Sequence, residues 1–221
     1  MLKLEDLNLE NLKVYQDDEL YCFTSDAVLL SRFATAKKND DVADFCSGSG
    51  IVGFNFYGLN KNAVKKVSLF EMQKPLYDLS VKSIELNGLS RVFSANNVKL
   101  QEIDSSFNER FSLILCNPPY MKKDAGETKE NSQIAICMSE VELTLIELIK
   151  AVNKCLKYGG RFCMVHRADR LVDALVTMRQ FNIEPKKLQL VNAKGKAPYL
   201  FLVEGVKGGK SGLKILPSLI N

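Results

Sequence analysis

The chain has 221 residues, of which 46% are hydrophobic and 25% are charged, and its formal net charge is +4. This balance is ordinary for a soluble globular protein that can bury a substantial core. Residues 1–6 are polar and acidic with no apolar run behind them, so we expect no signal peptide and no membrane span, and we expect a cytoplasmic protein. The six cysteines form no Cys-x-x-Cys pair and His166 is the single histidine, so we expect no metal.

Apolar periodicity alternates between strand and helix along the chain, after an N-terminal hairpin and a first helix. The hairpin is predicted at 12–23 around Asp17 and Asp18, and the helix begins at Thr24 or Ser25 and ends near residue 36. Further strands are predicted at about 41–46, 66–71, 91–96, 111–116, 161–166, 188–191 and 199–206, and further helices at about 50–59, 75–87, 141–157 and 168–181. This order predicts an α/β fold with a doubly wound parallel sheet.

A glycine-bearing loop follows the first strand of this pattern. Gly48, Gly50 and Gly53 spell G-x-G-x-x-G after a strand that contains Asp44. Glu71 ends the next apolar strand. In folds of this type, an acid at the end of the second strand binds the ribose hydroxyls of an adenosine cofactor. The loop therefore predicts an adenosine cofactor, and it leaves NAD and S-adenosylmethionine both open.

The strand at residues 111–116 ends in Asn117, Pro118, Pro119 and Tyr120. The Asn117 side-chain oxygen and the Pro118 carbonyl could each accept one hydrogen of a planar amine, which turns its nitrogen toward an electrophilic methyl. The prolines lack N–H donors and keep the turn open, and Tyr120 offers a flat face for stacking. The alternative interpretation is a Pro-Pro turn that ends a strand, with Tyr120 as packing.

The Asn117–Tyr120 motif decides between the two cofactors. A dehydrogenase has no use for it at this position. The chain's Tyr-x-x-x-Lys string, Tyr57 to Lys61, lies in a helix where it could not serve hydride transfer. The sequence therefore favours an S-adenosylmethionine-dependent methyltransferase.

The C-terminal part of the chain is basic. Seven lysines lie between residues 186 and 214, Lys194 and Lys196 among them, against the single acid Glu204. A basic end on a nearly neutral body predicts a polyanionic partner, although a solvated lysine-rich surface is the alternative. The segment 121–133, with Lys122 and Lys123, follows the motif directly and is placed to clamp a target.

The chain resembles class I, Rossmann-like methyltransferases and, more narrowly, the bacterial tRNA(Val) adenine-N6-methyltransferase family in its Gram-positive form. The resemblance lies in residues 24–30, 44–50, 71, 117–120, 165–167 and 203–217. It implies a seven-stranded sheet with helices on both faces and an antiparallel terminal hairpin. It also implies S-adenosylmethionine as cofactor, tRNA or another structured RNA as partner, and methylation of the exocyclic amine of adenine.

The resemblance implies a role for each matching residue. Asp44 would hold the methionine amino group, Glu71 the ribose and Asn97 the adenine, although Asn97 stands where an acid is usual. Cys46 stands where the family often has a glycine, and Met138-Ser139 replaces a more polar pair before Glu140. The remaining residues have two interpretations each: Thr24 and Asp26 begin a lid over the methionine end or a plain N-cap, and His166 and Arg167 contact substrate or only pack.

Several alternatives stay open. A carboxamide offers the same two hydrogens as adenine, so a protein-glutamine methyltransferase of the release-factor type fits the motif, as do adenine in DNA and adenine or guanine in ribosomal RNA. Cys46 and Asn97 also leave room for a binding-only protein whose site has decayed. We expect a monomer in three parts: an N-terminal hairpin and lid helix over 1–36, a methyltransferase domain over 37–207, and a basic tail over 208–221.

Overall fold

A computed structural model describes residues 2–9, 11–18, 20, 25–120 and 143–221. Among the predicted site residues, Thr24, Lys122 and Lys123 lie outside these ranges, as do Met138, Ser139 and Glu140. The helices of the described part are α1 (Ser25–Phe33), α2 (Ile51–Asn60), α3 (Lys74–Leu86), α4 (Leu145–Cys155) and α5 (Leu171–Gln180). The strands are β1 (Leu2–Asp6), β2 (Lys13–Asp17), β3 (Asp40–Phe45), β4 (Val64–Glu71), β5 (Phe93–Asn97), β6 (Phe111–Cys116), β7 (Leu156–Arg167), β8 (Ile183–Asn192), β9 (Pro198–Lys207), β10 (Lys214–Ile215) and β11 (Leu219–Ile220).

The main sheet has the strand order β10-β8-β9-β7-β6-β3-β4-β5, and β11 also pairs with β8. Strands β3 to β7 run parallel, whereas β9 is antiparallel to both β7 and β8. The predicted fold class is therefore confirmed, including the antiparallel terminal hairpin. The two short strands β10 and β11 were not predicted, because two-residue pairings leave no periodic pattern in the sequence.

The central strands are apolar because both faces of the sheet are covered. On β6, Ile114 and Cys116 belong to a core cluster that includes α4 residues, whereas Leu113 and Leu115 belong to a cluster on the other face with α1 and α2 residues. Adjacent residues of one strand thus reach two different cores. Among the described residues, no helix combines the length and apolarity needed to cross a membrane.

The N-terminal hairpin differs from the prediction. Its two strands are β1 and β2, which pair from Leu2 with Asp17 to Asp6 with Lys13, so Asp17 ends a strand instead of forming the turn. The turn contains Asn8 and Asn11 with φ of 53° and 63°, a left-handed conformation that asparagine tolerates. The acidic pair was the wrong turn signal. Most of residues 19–24 lies outside the described part of the chain.

The helix predicted at 141–157 also has different bounds. Thr144 caps α4 through a reciprocal capping box with Glu147, which fixes its start at Leu145. The helix ends at Cys155 and β7 begins at the next residue, so Gly159 and Gly160, which follow the end predicted for the helix, lie within a strand. Gly159 has a φ of 74°, which explains the choice of glycine there.

Candidate functional site

The predicted site residues of the described chain gather at one edge of the sheet. The parallel register aligns Phe45 with Phe70 and Cys116, and it aligns Glu71 with Asn97 and Cys116 with Met164. Residues that end these strands or follow them directly therefore meet at the carboxyl edge, where α/β folds bind ligands. This edge brings together Asp44, Cys46, Gly48, Gly50, Glu71, Asn97, Asn117, His166 and Arg167.

Asp44 is fully buried at the end of β3. Its Oδ2 accepts a hydrogen bond from the Gly53 N–H at 2.9 Å, and its Oδ1 has no partner. Burial raises the pKa of this carboxyl to about 8, the Gly53 bond opposes that shift, and the nearby Glu71 adds to it. A cationic group placed at Oδ1 would supply the missing partner.

Glu71 shapes the glycine loop from the end of β4. Its Oε2 accepts a hydrogen bond from the Gly48 N–H at 2.8 Å, and its Oε1 accepts one from the Gln73 N–H at 2.8 Å. Burial raises the pKa of this carboxyl, while these backbone N–H groups oppose the shift. Each oxygen retains a second lone pair, so Glu71 can hold the loop and still accept from a hydroxyl.

The loop from Cys46 to Gly50 depends on left-handed backbone conformations. Gly48 and Gly50 have φ of 56° and 92°, and Cys46 adopts 56° although it carries a side chain. A Cβ on Gly48 would meet nothing within 4 Å, so this backbone faces open space. At Gly50 a Cβ would come within 2.9 Å of Leu69 Cδ1, so this glycine is required by packing.

Asn97 lies beside Glu71 on β5 and is exposed. Its Nδ2 donates to the backbone oxygens of Glu71 at 2.9 Å and of Met72 at 3.0 Å. Both amide hydrogens are thus used to orient the side chain. The Oδ1 acceptor remains for a ligand amine, which is the group that an adenine presents.

Two residues near the loop were missed by the sequence analysis. Gln16 on β2 is buried and donates from Nε2 to Ser49 Oγ, while its Oε1 lacks a partner. Ser47 Oγ is also buried without a partner. Val14 and Gln16 share the buried face of β2 because they are two residues apart on a strand. This spacing could have indicated that Gln16 points inward, but the hairpin was predicted in another register. Unpartnered polar atoms on Asp44, Ser47 and Gln16, with open space at Gly48, fit an adenosyl amino acid.

The Asn117–Tyr120 turn follows β6 at the same edge. Pro118 is buried, and the other three residues are partly exposed. The Tyr120 hydroxyl forms a hydrogen bond to Asn117 Oδ1 and lies 3.1 Å from Asp26 Oδ2 at the start of α1. Asn117 and Tyr120 are neighbours in the sequence, but no local pattern predicts the contact with Asp26, which is 94 residues away from Tyr120.

His166 lies behind Tyr120. It is 1% exposed, and its ring is 5.3 Å from the Tyr120 ring and 6.1 Å from the Phe201 ring. Burial lowers the pKa of His166 to about 4, with Arg170 adding to the effect, so the ring is neutral at pH 7. Arg167 is exposed and pairs with Asp169 at 3.0 Å. A substrate contact by His166 stays a prediction that would require Tyr120 to move.

The basic C-terminal part separates into two groups. Lys194 and Lys196 are exposed in the turn between β8 and β9, and the pairing of Leu200 with Arg167 places this turn at the carboxyl edge. Lys207 is buried at the opposite edge, where it donates to Glu109 at 3.1 Å and to two backbone oxygens. Lys187 pairs with Glu204 at 2.9 Å. The seven lysines therefore do not form a single surface.

These features define a Rossmann-like methyltransferase fold with two buried acids, Asp44 and Glu71, beside an Asn-Pro-Pro-Tyr turn. The profile of the methyltransferase small domain family matches residues 14–183, and the chain belongs to this family. Within the described residues, no cluster of His, Cys, Asp or Glu could hold a metal ion.

Curated relatives are distant and longer than this chain. The tRNA1(Val) (adenine(37)-N6)-methyltransferase of Shewanella sp. (strain W3-18-1) is 24% identical over 151 residues, which cover 67% of this chain and 62% of that protein. The release factor glutamine methyltransferase of Clostridium botulinum is 28% identical over 132 residues, which cover 56% of this chain and 46% of that protein. The match thus spans less than two thirds of either relative.

Solved structures show the same fold. A protein of Agrobacterium tumefaciens described as a predicted O-methyltransferase has a TM-score of 0.69 at 16% identity, with 88% of this chain and 86% of that chain covered. Methanocaldococcus jannaschii Trm5, solved in complex with adenosine, has a TM-score of 0.66 at 14% identity, with 95% and 57% covered. At these identities the likeness concerns the fold.

Proposed function

We propose that this protein is an S-adenosylmethionine-dependent N-methyltransferase that acts on the exocyclic amine of adenine in tRNA. The observation that carries the proposal is the position of the Asn117–Tyr120 turn on β6, directly beside the strand β3 that ends in Asp44 and the glycine loop. An amine acceptor and a cofactor cradle on neighbouring strands are what direct methyl transfer requires. We place the enzyme in the cytoplasm, with its substrate.

The cofactor supplies an electrophilic methyl group on a sulfonium. Asp44 Oδ1 would accept from its amino group, Glu71 from its ribose hydroxyls and Asn97 Oδ1 from its adenine amine. Gly48 would give the backbone room for this ligand. We extend the assignment to Gln16 and Ser47, whose buried polar atoms lack partners, and we retain Thr24, Cys46 and Gly50 as residues around the same ligand. The Asp26 carboxylate lies instead against the Tyr120 hydroxyl.

At the target end, Asn117 Oδ1 and the Pro118 carbonyl would accept the two amine hydrogens and direct the nitrogen lone pair at the methyl group. The adenine must leave its stack, which costs a few kcal/mol. Stacking on Tyr120 would return roughly 1–3 kcal/mol of that cost. The Asn117 and Pro118 contacts orient the amine without a covalent intermediate on the protein.

The choice of RNA rests on two supports. Curated relatives carry the name tRNA1(Val) (adenine(37)-N6)-methyltransferase, and Lys194 and Lys196 are exposed at the carboxyl edge, where phosphates of a bound RNA would lie. We propose Arg167, Lys122 and Lys123 as further substrate contacts. We also keep the proposed division into a hairpin and lid over 1–36, a catalytic domain over 37–207 and a basic segment over 208–221.

A second candidate is methylation of a glutamine carboxamide in a release factor. The similarity to the Clostridium botulinum release factor glutamine methyltransferase favours it, and the Asn117 acceptor does not distinguish a carboxamide from an adenine amine. The two candidates predict different needs for basic residues, because a protein target brings no row of phosphates.

The deciding experiment is transfer of a tritiated methyl group to unmodified total tRNA, ribosomal RNA and release factor, each supplied separately. We expect label in tRNA, and nucleoside analysis should identify it as N6-methyladenosine. Label in release factor alone would replace the proposal by the second candidate. Cofactor binding without transfer to any of the three would indicate a binding protein whose site has decayed.

A further inference from the structure

Tyr120 has one hydroxyl hydrogen and two acceptors close to it. Asn117 Oδ1 accepts a hydrogen bond from this hydroxyl, and Asp26 Oδ2 lies 3.1 Å from the same oxygen. Asn117 and Tyr120 are three residues apart on one turn, whereas Asp26 comes from the first turn of α1. A helix outside the motif therefore contributes a carboxylate to it.

The acceptor engaged by Tyr120 is the one that the proposed reaction needs. Asn117 Oδ1 has two lone pairs, and the hydrogen bond from the Tyr120 hydroxyl occupies one of them, which leaves a single lone pair for an incoming amine. A hydroxyl hydrogen rotates about the C–O bond without moving the ring. The hydrogen can therefore pass from Asn117 to Asp26 while the phenol stays in place.

Rotation of the hydroxyl hydrogen does not require the Tyr120 ring to leave its packing position. The ring lies 5.3 Å from that of His166, which is buried between Tyr120 and Phe201. In this position the hydroxyl oxygen lies near both acceptors. A carboxylate is also the stronger acceptor of the two, since hydrogen bonds to charged groups exceed those to neutral ones.

We propose that Asp26 is a positioning residue that accepts the Tyr120 hydroxyl hydrogen when the target amine occupies Asn117 Oδ1. This inference rests on the proposed methyl transfer and adds a residue that acts through Tyr120. It differs from a role for Asp26 at the methionine end of the cofactor, because it requires the Tyr120 hydroxyl. Without that hydroxyl, Tyr120 no longer competes for Asn117 Oδ1 and no longer donates to Asp26.

The test is a double-mutant cycle with Asp26→Asn, Tyr120→Phe and the combination, assayed for kcat and KM on tRNA. Asp26→Asn should lower kcat about tenfold in the parent, because the competing hydrogen bond is then less readily released. In the Tyr120→Phe background the same change should have no effect on kcat. The cofactor Kd, measured by calorimetry, should be unchanged in all three variants. Glu85→Gln, an exposed change at the far end of α3, serves as the neutral control.

An equal kcat penalty in both backgrounds would overturn the inference, and so would a weaker cofactor Kd in Asp26→Asn. If Asp26→Asn does not fold, as thermal unfolding would show, Asp26→Ser retains a short polar group in the first helical turn and is judged by the same comparison. A parent protein that methylates no tRNA would instead contradict the proposed function. The two failures are distinguishable, because the cycle is read only against an active parent.

Discussion

The two ends of the site are held by different kinds of hydrogen bond. At the proposed cofactor end, the buried carboxyls of Asp44 and Glu71 accept from the backbone N–H groups of Gly53, Gly48 and Gln73. At the proposed target end, the partly exposed Tyr120 side chain bonds to the side chains of Asn117 and Asp26. Backbone donors are fixed by the fold, whereas side-chain partners can be exchanged.

This difference separates a preformed cradle from an adjustable contact. A cofactor of constant shape gains from donors and acceptors that need no reorganisation when it binds. A target base must first leave its stack, and it can then be bound by hydrogen-bond acceptors that exchange their partners when the base enters the site. Substitutions at the cofactor end should therefore change binding, and substitutions at the target end should change turnover.

The largest effect is expected for Asn117→Ala. The change removes an acceptor used chiefly by the target amine, so methyl transfer should fall by about 100-fold or more while most of the cofactor affinity remains. Single-turnover transfer and calorimetry on the same preparation check both parts. Asn60→Ala, which alters an asparagine whose side chain bonds within α2, is the matched control. Normal turnover in Asn117→Ala would remove Asn117 from the mechanism.

Glu71→Ala should act on binding. Loss of hydrogen bonds to a charged group should weaken S-adenosylmethionine and S-adenosylhomocysteine alike, by roughly 1.5–3 kcal/mol. Calorimetry with both ligands measures this, and Glu71→Gln, which retains one acceptor for the Gly48 N–H, separates the ligand contact from loop anchoring. Unchanged affinity, or tight binding of NAD to the parent, would contradict the cofactor assignment.

Asp44 should make cofactor binding depend on pH. Its pKa is raised from 3.8 to about 8 by burial, so the group is protonated in the free protein at pH 6.5 and must lose that proton to pair with an ammonium. Affinity should therefore rise with pH, by up to about tenfold per unit, until the pH approaches 8, where the ammonium group of the ligand itself begins to lose its proton. Conversely, the folded state takes up a proton that the unfolded state lacks, so this group's contribution to stability decreases as pH rises from about 4 to about 8.

Calorimetry at pH 6.5 in two buffers of different ionisation enthalpy should reveal proton release on binding. Asp44→Asn should abolish that release and weaken binding. Equal heats in both buffers for the parent protein would mean that Asp44 keeps its proton or does not face the ammonium.

The sequence predicted the parts of this molecule that have a local signature. The order of strands and helices, the glycine loop, Glu71 and the Asn117–Tyr120 turn follow from periodicity, glycine spacing and a short motif. The contacts of Gln16 with Ser49 and of Asp26 with Tyr120 join distant parts of the chain, so no window of sequence contains them. The environments of the seven C-terminal lysines could not be predicted from the sequence for the same reason. Lys207, for example, is buried because its ammonium group donates to the backbone oxygens of Asn153 and Leu156, which are 54 and 51 residues away.

Lys194 and Lys196 test whether the target end of the site binds RNA. If they neutralise phosphates, tRNA affinity should fall steeply with salt, and changing both to Glu should reduce the log-log slope by about 0.7–0.9 for each phosphate that is no longer neutralised. The matched control is Lys38→Glu with Lys65→Glu, which makes the same charge change on exposed residues at the opposite edge of the sheet. The cofactor affinity should barely change with salt in any variant. Equal slopes in both double variants would assign the effect to net charge alone.

The smallest effect concerns the shape of the cofactor loop at Cys46. Its φ of 56° costs a residue with a Cβ about 1–2 kcal/mol relative to glycine, whereas glycine usually costs about 0.5–1 kcal/mol relative to alanine through chain entropy. Cys46→Gly and Cys46→Ala both remove the sulfur, so their difference isolates the backbone. We expect the glycine variant to be more stable than the alanine variant by up to about 1 kcal/mol in urea unfolding, with similar cofactor affinity, because Glu71 holds the loop in both. An alanine variant of equal or greater stability would mean that the loop relaxes away from the left-handed conformation, and the cofactor end would then be less rigid than its backbone hydrogen bonds imply.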